Sequence, residues 1–391
     1  MHFLRRFYQQ TTQSPRAYSL IDIGRDTVKA VVVQVKPGAV AEVVGYGLAE
    51  TGGYDITGGR LEASEVVSPV NIALTLAEDH TESLLGQKLV PDDVIFAITG
   101  QATTGKLFTI RHIRPQPRQP ISKKELRQLR AKAERTVRQG LTELHRDGGR
   151  WRALAVNDVG LRLDSYLVVE GLGRTGREMS LSLFGVTAQA GAWRALEEVA
   201  ERLNLRVVEV VAASQALASL VPHPEAIVLD VGFSGTTLCL LKNDALVGSQ
   251  WLPFGDDFFL RPLTEVLQIG LSEAKRLKQE WFAGELRADE VHFIEAQLGK
   301  ARQRWYEEVM LALLELTKGV PLPWKIYLTG GGSLFPGLEA LLVSDPDHFD
   351  RAPEVTRINK SSVMGLKDLT DGLNYDLFAL TLSLVVGLPA R

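Results

Sequence analysis

The stretch AIVLDVGFSGTTL, Ala226 to Leu238, decides how this chain is read. An apolar run rises into Asp230-Val231-Gly232, a short polar turn comes next, and a second strand-like run begins at Thr236. β-Branched and apolar runs on either side of a glycine turn read as two strands of a hairpin. The same device stands far upstream at Tyr18 to Lys29, YSLIDIGRDTVK. There Asp22-Ile23-Gly24 leads through Arg25, Asp26 and Thr27 into the run AVVVQV. A third glycine cluster closes another apolar run at Lys325 to Ser333, KIYLTGGGS. A strand-end carboxylate beside a tight glycine turn can hold a phosphate with its Mg²⁺, because backbone N–H groups meet the anion and the carboxylate faces the cation's water. Two such hairpins facing each other, with a glycine platform for a base, make a nucleotide clamp.

The rest of the chain sets limits. With 391 residues there is room for two or three domains. A content of 45% hydrophobic and 23% charged residues is that of a soluble globular protein. The net charge of −3 argues against general nucleic-acid binding. Cys239 is the single cysteine, so no intrachain disulfide forms and a reducing compartment fits. The N-terminus lacks the apolar core of a signal peptide. The apolar run Leu377 to Leu388 has 12 residues, too few to span a bilayer.

Residues 1–17 are basic and acid-free, with Arg5, Arg6 and Arg16; Phe3, Leu4, Phe7 and Tyr8 could line one face of a short helix. We read this segment as flexible, with peripheral membrane contact through residues 1–10 as the second reading. Strand-like runs fill 18–50, a helix is expected over Ser64 to Gly86, and a strand over Asp93 to Thr99. The stretch 104–187 then reads strand (Leu107 to Ile113), helix (Ser122 to Arg146), strand (Trp151 to Leu163) and two further strands around Ser165 to Val169 and Met179 to Val186. Ser122 with Glu125 has the spacing of a capping box. The helix carries an excess of Lys and Arg, which fits a solvated face or, as a second reading, a partner-binding one. Helix, strand and helix over 192–220 return the chain to an α/β pattern.

Two motifs are decoys. Gly100 to Lys106 has P-loop spacing, but Leu107 stands where a hydroxyl must meet Mg²⁺, and the run LFTIRHI alternates like a strand where a P-loop must open a helix. Gly171 to Gly176 fits a dinucleotide fingerprint but precedes a strand-like run, so it reads as a hairpin turn. The seven histidines show no metal-ligand spacing.

The two Asp-x-Gly hairpins and the later glycine loop, in this order, resemble the actin-like ATPase superfamily from about residue 18 to the C-terminus. Residues 104–187 resemble the strand–helix–strand–strand insertion of its branch containing the bacterial cell-division protein FtsA and the type IV pilus protein PilM. VVEGLGRTGREMSLSLFGVTA, LSEAKRLK (271–278) and NYDLFALTLSLVVGL match that branch locally. The resemblance implies an α/β fold of two RNase H-like domains with the insertion in the first half. Residues 18–103 with 188–222 would form the first domain, 104–187 the inserted subdomain, and 223–391 the second domain with a small lobe at about 256–305.

It also implies ATP and Mg²⁺ as cofactors. Asp22 and Asp230 would hold Mg²⁺ through water. Backbone N–H groups from Gly24, Arg25, Asp26 and Thr27, and from Gly232, Phe233, Ser234, Gly235 and Thr236, would hold phosphates, with Ser234 and Thr236 adding hydroxyls. Gly330, Gly331, Gly332 and Ser333 would receive the adenosine. Glu273 and Arg276 lie where relatives bind ribose and adenine. The chain departs from the pattern at Phe233 and Ser234, which replace glycines, and at Arg25 and Asp26, which replace small or hydroxyl residues. Chaperone-type relatives position water with a glutamate; here the comparable helix offers only Gln215, a poor base. Slow hydrolysis or none is expected, with nucleotide acting as a conformational ligand. The function implied is an ATP-binding cytoplasmic scaffold of FtsA type in cell division at the inner membrane face. Alternatives are a PilM-like pilus or secretion assembly protein docking a membrane partner's cytoplasmic tail, and a nucleotide-free interaction module. Partners would be proteins of such a machine, including further copies of the chain, and neither nucleic acid nor a transmembrane segment is expected.

Overall fold

The computed structural model describes residues 15–36, 38–52, 61–144, 151–363 and 365–389. The chain opens with an antiparallel meander, β1 (Arg16–Ile23), β2 (Thr27–Val35) and β3 (Ala41–Glu50), followed by α1 (Ala63–Leu85) and β4 (Asp93–Ile98). Next come β5 (Thr103–Ile113), α2 (Lys123–Glu143), β6 (Trp151–Leu163), β7 (Tyr166–Val168) and β8 (Glu178–Gln189). Helix α3 (Ala190–Arg202), β9 (Arg206–Ala212) and α4 (Ala213–Leu220) lead to a second meander, β10 (Ala226–Val231), β11 (Thr236–Lys242) and β12 (Ala245–Leu252). The remainder comprises α5 (Asp256–Leu267), α6 (Leu271–Phe282), α7 (Ala288–Thr317), β13 (Lys325–Thr329), α8 (Leu338–Leu342), β14 (Glu354–Arg357), β15 (Leu366–Asp368) and α9 (Tyr375–Ser383).

Two of the sheets repeat one plan. In the first, β3, β2 and β1 are antiparallel, and β4 and β9 continue parallel to β1. In the second, β12, β11 and β10 are antiparallel, and β13 and β14 continue parallel to β10. Hairpins need only tight turns, whereas each parallel step needs a crossover, and the helices supply those crossovers. The first sheet packs against α1 so closely that a Cβ on Gly45 or Gly47 of β3 would lie 2.1 Å from an α1 carbonyl oxygen, which accounts for glycine in mid-strand. β10 and β11 bury both faces. Ile227, Leu229, Leu238 and Leu240 face a core with Trp305 and Phe259, while Val228, Cys239 and Leu241 join the core of the first sheet. The two halves therefore share apolar packing beneath the cleft that separates the hairpin turns.

The third sheet, in the order β5-β8-β6-β7, carries α2 on one face through Leu129, Ala133, Val137 and Leu141. Ser122 caps α2 by accepting from the Glu125 N–H at 3.2 Å. The Glu125 carboxylate is also bound by buried Arg114, at 2.7 and 3.1 Å. That pair draws the Glu125 carboxyl below the usual range.

Other expectations change. β1 begins at Arg16, inside the segment 1–17 expected to be flexible; residues 1–14, and with them the contact expected for residues 1–10, lie outside the described residues. Gly100 to Lys106 forms one helical turn and runs into β5, with no helix for a P-loop. Gly171 to Gly176 is no hairpin turn. β7 pairs with β6 while β8 lies on the other side of β6, and the connection is held against residues 117–121 by Gly173 N–H to Ile121 O (2.9 Å) and Ile121 N–H to Arg174 O (2.8 Å). Residues 223–391 do not form one unit: β15 adds to the open edge of β3, and α9 buries Phe378 and Leu382 in the core of the first sheet. Pairing removes an exposed edge, and an apolar helix is buried with it.

Candidate nucleotide-binding cleft

The two hairpins close alike. Gly24 N–H donates to Thr27 O at 3.0 Å, and Gly232 N–H donates to Gly235 O at 2.9 Å. Each turn thus spends the first of the N–H groups assigned to phosphate. The register makes Asp22 face Lys29 across the first hairpin and Asp230 face Thr237 across the second.

Lys29 Nζ lies 3.3 Å from Asp22 Oδ2, with the aspartate buried and the lysine half-buried. Among the described residues Asp230 has no such partner. Desolvation raises its pKa to about 6, the nearby Asp22 carboxylate adds to the rise, and Lys29 offsets part of it. Three groups of the cleft therefore share one electrostatic unit: two carboxylates and one ammonium. Lys29 belongs to this cluster and was passed over by the motif reading, although its place seven residues after Asp22 on a paired strand was visible.

The second loop is held by backbone contacts. Asp256 and Asp257, at the start of α5, donate their N–H groups to Gly232 O and Phe233 O at 3.0 Å each. A Cβ on Gly255 would come within 2.4 Å of Gly235 N. From the other side, Gly330 adopts φ +89°, and a Cβ there would lie 2.3 Å from Val231 O and 2.5 Å from Asp230 Oδ1. The glycine loop is therefore pressed onto the second hairpin, as a platform requires. It is fixed from behind by α9, since Gly330 N–H and Thr329 Oγ1 both donate to Asp376 O, at 2.9 and 3.1 Å.

Several expected ligand groups are already engaged. Thr236 is fully buried; its hydroxyl donates to Phe254 O (2.6 Å) and accepts from Trp305 Nε1 (2.9 Å), so it is a core contact rather than a phosphate donor. Ser333 is also buried and donates to Gly330 O at 2.6 Å. Ser234, half-buried in the turn, has no hydrogen-bond partner among the described residues and keeps a free hydroxyl. Glu273 and Arg276 do share a face of α6, but it is the exposed one, where they pair with each other at 3.2 Å. Lys275 and Lys278 of that helix face inward instead.

Those inward lysines bridge the cleft. Lys275 binds the Asp26 carboxylate of the first loop, while Arg25 reaches Asp257 at 3.5 Å. The Phe233 ring lies under both cations, 4.4 Å from Lys275 Nζ and 5.9 Å from the Arg25 guanidinium carbon. Lys278 holds Asp256 at 2.5 Å; burial still leaves the Asp256 carboxyl above its ordinary pKa. The departures noted at Arg25, Asp26 and Phe233 are thus one connected cluster that ties the first loop to α5 and α6.

Beside the second hairpin lies a cavity of about 390 Å³ lined by Gly100, Gln101, Ser214, Thr237, Gln250 and Trp251 among others. Ser214 and Ala213, at the start of α4, reach it, whereas Gln215 does not line it.

The site fits a hydrated divalent cation. Asp22 and Asp230 approach closely enough to repel, and Asp230 lacks an ionic partner of its own, a combination that added positive charge would relieve. Among the described residues no three or more His, Cys, Asp or Glu side chains are grouped to hold a metal directly.

This architecture, two sheets of one plan with paired hairpin loops and a glycine platform, is the actin-like ATPase fold. No family model matches the sequence, and no curated protein matches it. Solved structures do. A type IV pilus biogenesis complex of PilM and PilN is similar over 97% of this chain and 100% of the other, at 17% identity and a TM-score of 0.64. A diol dehydratase-reactivating factor in nucleotide-free form covers 95% and 99% at 11% identity and a TM-score of 0.53. The ethanolamine utilization protein EutJ of Carboxydothermus hydrogenoformans covers 98% and 94% at 13% identity and a TM-score of 0.50.

Proposed function

We propose that this chain is an actin-like scaffold that binds ATP with Mg²⁺ between its two hairpins and uses it as a conformational ligand. The observation that carries this reading is the matched pair of turns with Asp22 and Asp230 gathered around Lys29. Asp22 and Asp230 would hold Mg²⁺ through water, Lys29 and the Ser234 hydroxyl would meet phosphate oxygens, and the Gly330 to Gly332 loop would receive the adenosine. Bound Mg²⁺ would neutralise phosphate charge. Hydrolysis is slow or absent, since the helix that carries a glutamate in chaperone-type relatives offers only Gln215 here, a poor base.

The scaffold docks a protein partner at the cytoplasmic face of the inner membrane. Likeness along the full length to the PilM–PilN complex favours a pilus or secretion role, in which the partner is the cytoplasmic tail of a membrane protein. The division role of FtsA type is the second reading, supported by the resemblance of residues 104–187. Among the described residues no helix is long and apolar enough to cross a membrane, so attachment would run through a partner or a surface contact. Residues 104–187 act as the inserted subdomain in either role.

Calorimetric titration of Mg-ATP into the wild type and Asp230→Ala tests the site. Binding that is lost in the variant supports it; no binding by the wild type leaves a nucleotide-free interaction module. Affinity capture from the native cell separates the roles, through recovery of either pilus inner-membrane proteins or the tubulin-like division protein.

A further inference from the structure

We propose that the outward face of α2 is a docking surface for an anionic lipid bilayer. Charge is divided unevenly along this chain. Residues 104–187 carry 17 Lys and Arg against 8 Asp and Glu, and the rest of the chain carries 27 against 39. A molecule of small net charge is therefore strongly polar, with its positive end in the third sheet and its helix.

Within that end the charge is aligned. α2 has 21 residues, about 31 Å of helix, and packs on its own sheet through Leu129, Ala133, Val137 and Leu141. Opposite this buried row stand Lys124, Arg127, Arg135 and Arg138, all exposed and without an ion-pair partner among the described residues. The neighbouring Arg130 differs, since it pairs with Asp158. The helical period puts Glu134 at one edge of this ridge, beside Arg127 and Arg138, and Glu143 about a third of a turn away on the other side. A flat anionic surface laid on the ridge meets four cations against the single carboxylate of Glu134. A nucleic acid groove wrapped around the helix would press its phosphates onto both carboxylates. The shape and sign of the face thus match a bilayer plane. The acidic remainder of the chain is repelled by the same surface, which orients the molecule with α2 toward it; that steering acts within a Debye length of about 8 Å. This inference stands apart from the nucleotide reading, since no cleft residue takes part.

Vesicle co-sedimentation of the full chain tests it, using phosphatidylcholine vesicles with and without phosphatidylglycerol. The wild type is expected to sediment only with phosphatidylglycerol present and to be released by high salt. Lys124→Gln, Arg127→Gln, Arg135→Gln and Arg138→Gln together are expected to weaken binding by about a hundredfold or more, with an unchanged melting temperature because all four side chains are exposed. A control with the same charge change elsewhere, Arg202→Gln, Arg206→Gln, Arg287→Gln and Arg304→Gln, is expected to bind as the wild type does. The proposal is overturned if the wild type ignores anionic vesicles, if the α2 variant still binds, or if the control loses binding equally. It is also overturned if removal of residues 1–14 alone abolishes sedimentation. Binding to duplex DNA or polyglutamate in place of vesicles would reassign the face to a different partner.

Discussion

The two hairpins share one backbone device and are stabilised by opposite means. The first is fixed by charge: Lys29 holds Asp22 within the hairpin, and Arg25 and Asp26 reach across to α5 and α6. The second is fixed by backbone contact, with Gly255 on one side, Gly330 on the other, and its carboxylate left without an ion-pair partner of its own. The difference assigns the parts. The second hairpin is the rigid floor of the cleft, and the first is the element whose contacts a ligand can exchange.

Gly330→Ala strikes the floor hardest. Its φ of +89° disfavours any side chain, and the new Cβ would overlap Val231 O and Asp230 Oδ1. A loss of about 3 kcal/mol or more is expected in denaturant unfolding. Gly24→Ala in the first hairpin meets only Thr27 O, at 2.9 Å, and is expected to cost about 1 kcal/mol. Equal losses would remove the distinction between a packed and an unpacked loop.

Lys29→Met tests the charged side. The substitution keeps the stem and deletes the ammonium, leaving Asp22 buried beside Asp230 without compensation. Breaking a buried pair in this way is expected to cost about 3 kcal/mol at neutral pH. A neutral outcome would mean that Lys29 does not stabilise the carboxylate pair.

Asp230→Asn should act in the other direction. The folded-state pKa of Asp230 is about 6, above its ordinary 3.8, so between these values the native state holds a proton that the unfolded chain has lost. Stability contributed by this group therefore falls as pH rises through that window, and the cost is complete above pH 6. Asn removes it, for a gain of up to about 3 kcal/mol at pH 7 that vanishes below pH 4. Melting curves of both proteins across that range would show a pH-independent difference if the reading of Asp230 is mistaken. The same variant is expected to lose Mg-ATP, so stability and ligand binding would move oppositely at one residue.

What could be read in the sequence was what neighbouring residues decide. A strand, an Asp, a Gly and a second strand are contiguous, so both hairpins, their carboxylates and the glycine loop were visible. The Ser122 cap and the strand Trp151–Leu163 were visible for the same reason. Whatever depends on the meeting of distant segments was not. Asp26 and Lys275 are 249 residues apart, and nothing local to DIGRDTVK announces its partner. Thr236 looked like a ligand because its motif does, yet Trp305, 69 residues on, claims its hydroxyl. β15 is too short for its pattern to show which sheet it would join.

The bridge across the cleft yields the smallest stability effect and the most direct test of the division between floor and gate. Its ion pairs are partly exposed, with Lys275 and Asp26 side chains at 28% and 32% accessibility, so Lys275→Ala is expected to cost no more than about 1 kcal/mol. If the first hairpin must exchange these contacts to admit a nucleotide, the energy lost from the ligand-free state returns on binding. Mg-ATP affinity should then rise about fivefold, the equivalent of roughly 1 kcal/mol. A fall in affinity would make Lys275 a phosphate ligand instead of a bar across the mouth, because the nucleotide would then be losing a contact rather than being spared a competitor. Asp26→Ala is the reference for that test. It removes the same ion pair but leaves the lysine free, so it raises affinity under either account, and only the opposite signs of the two variants would identify Lys275 as part of the site.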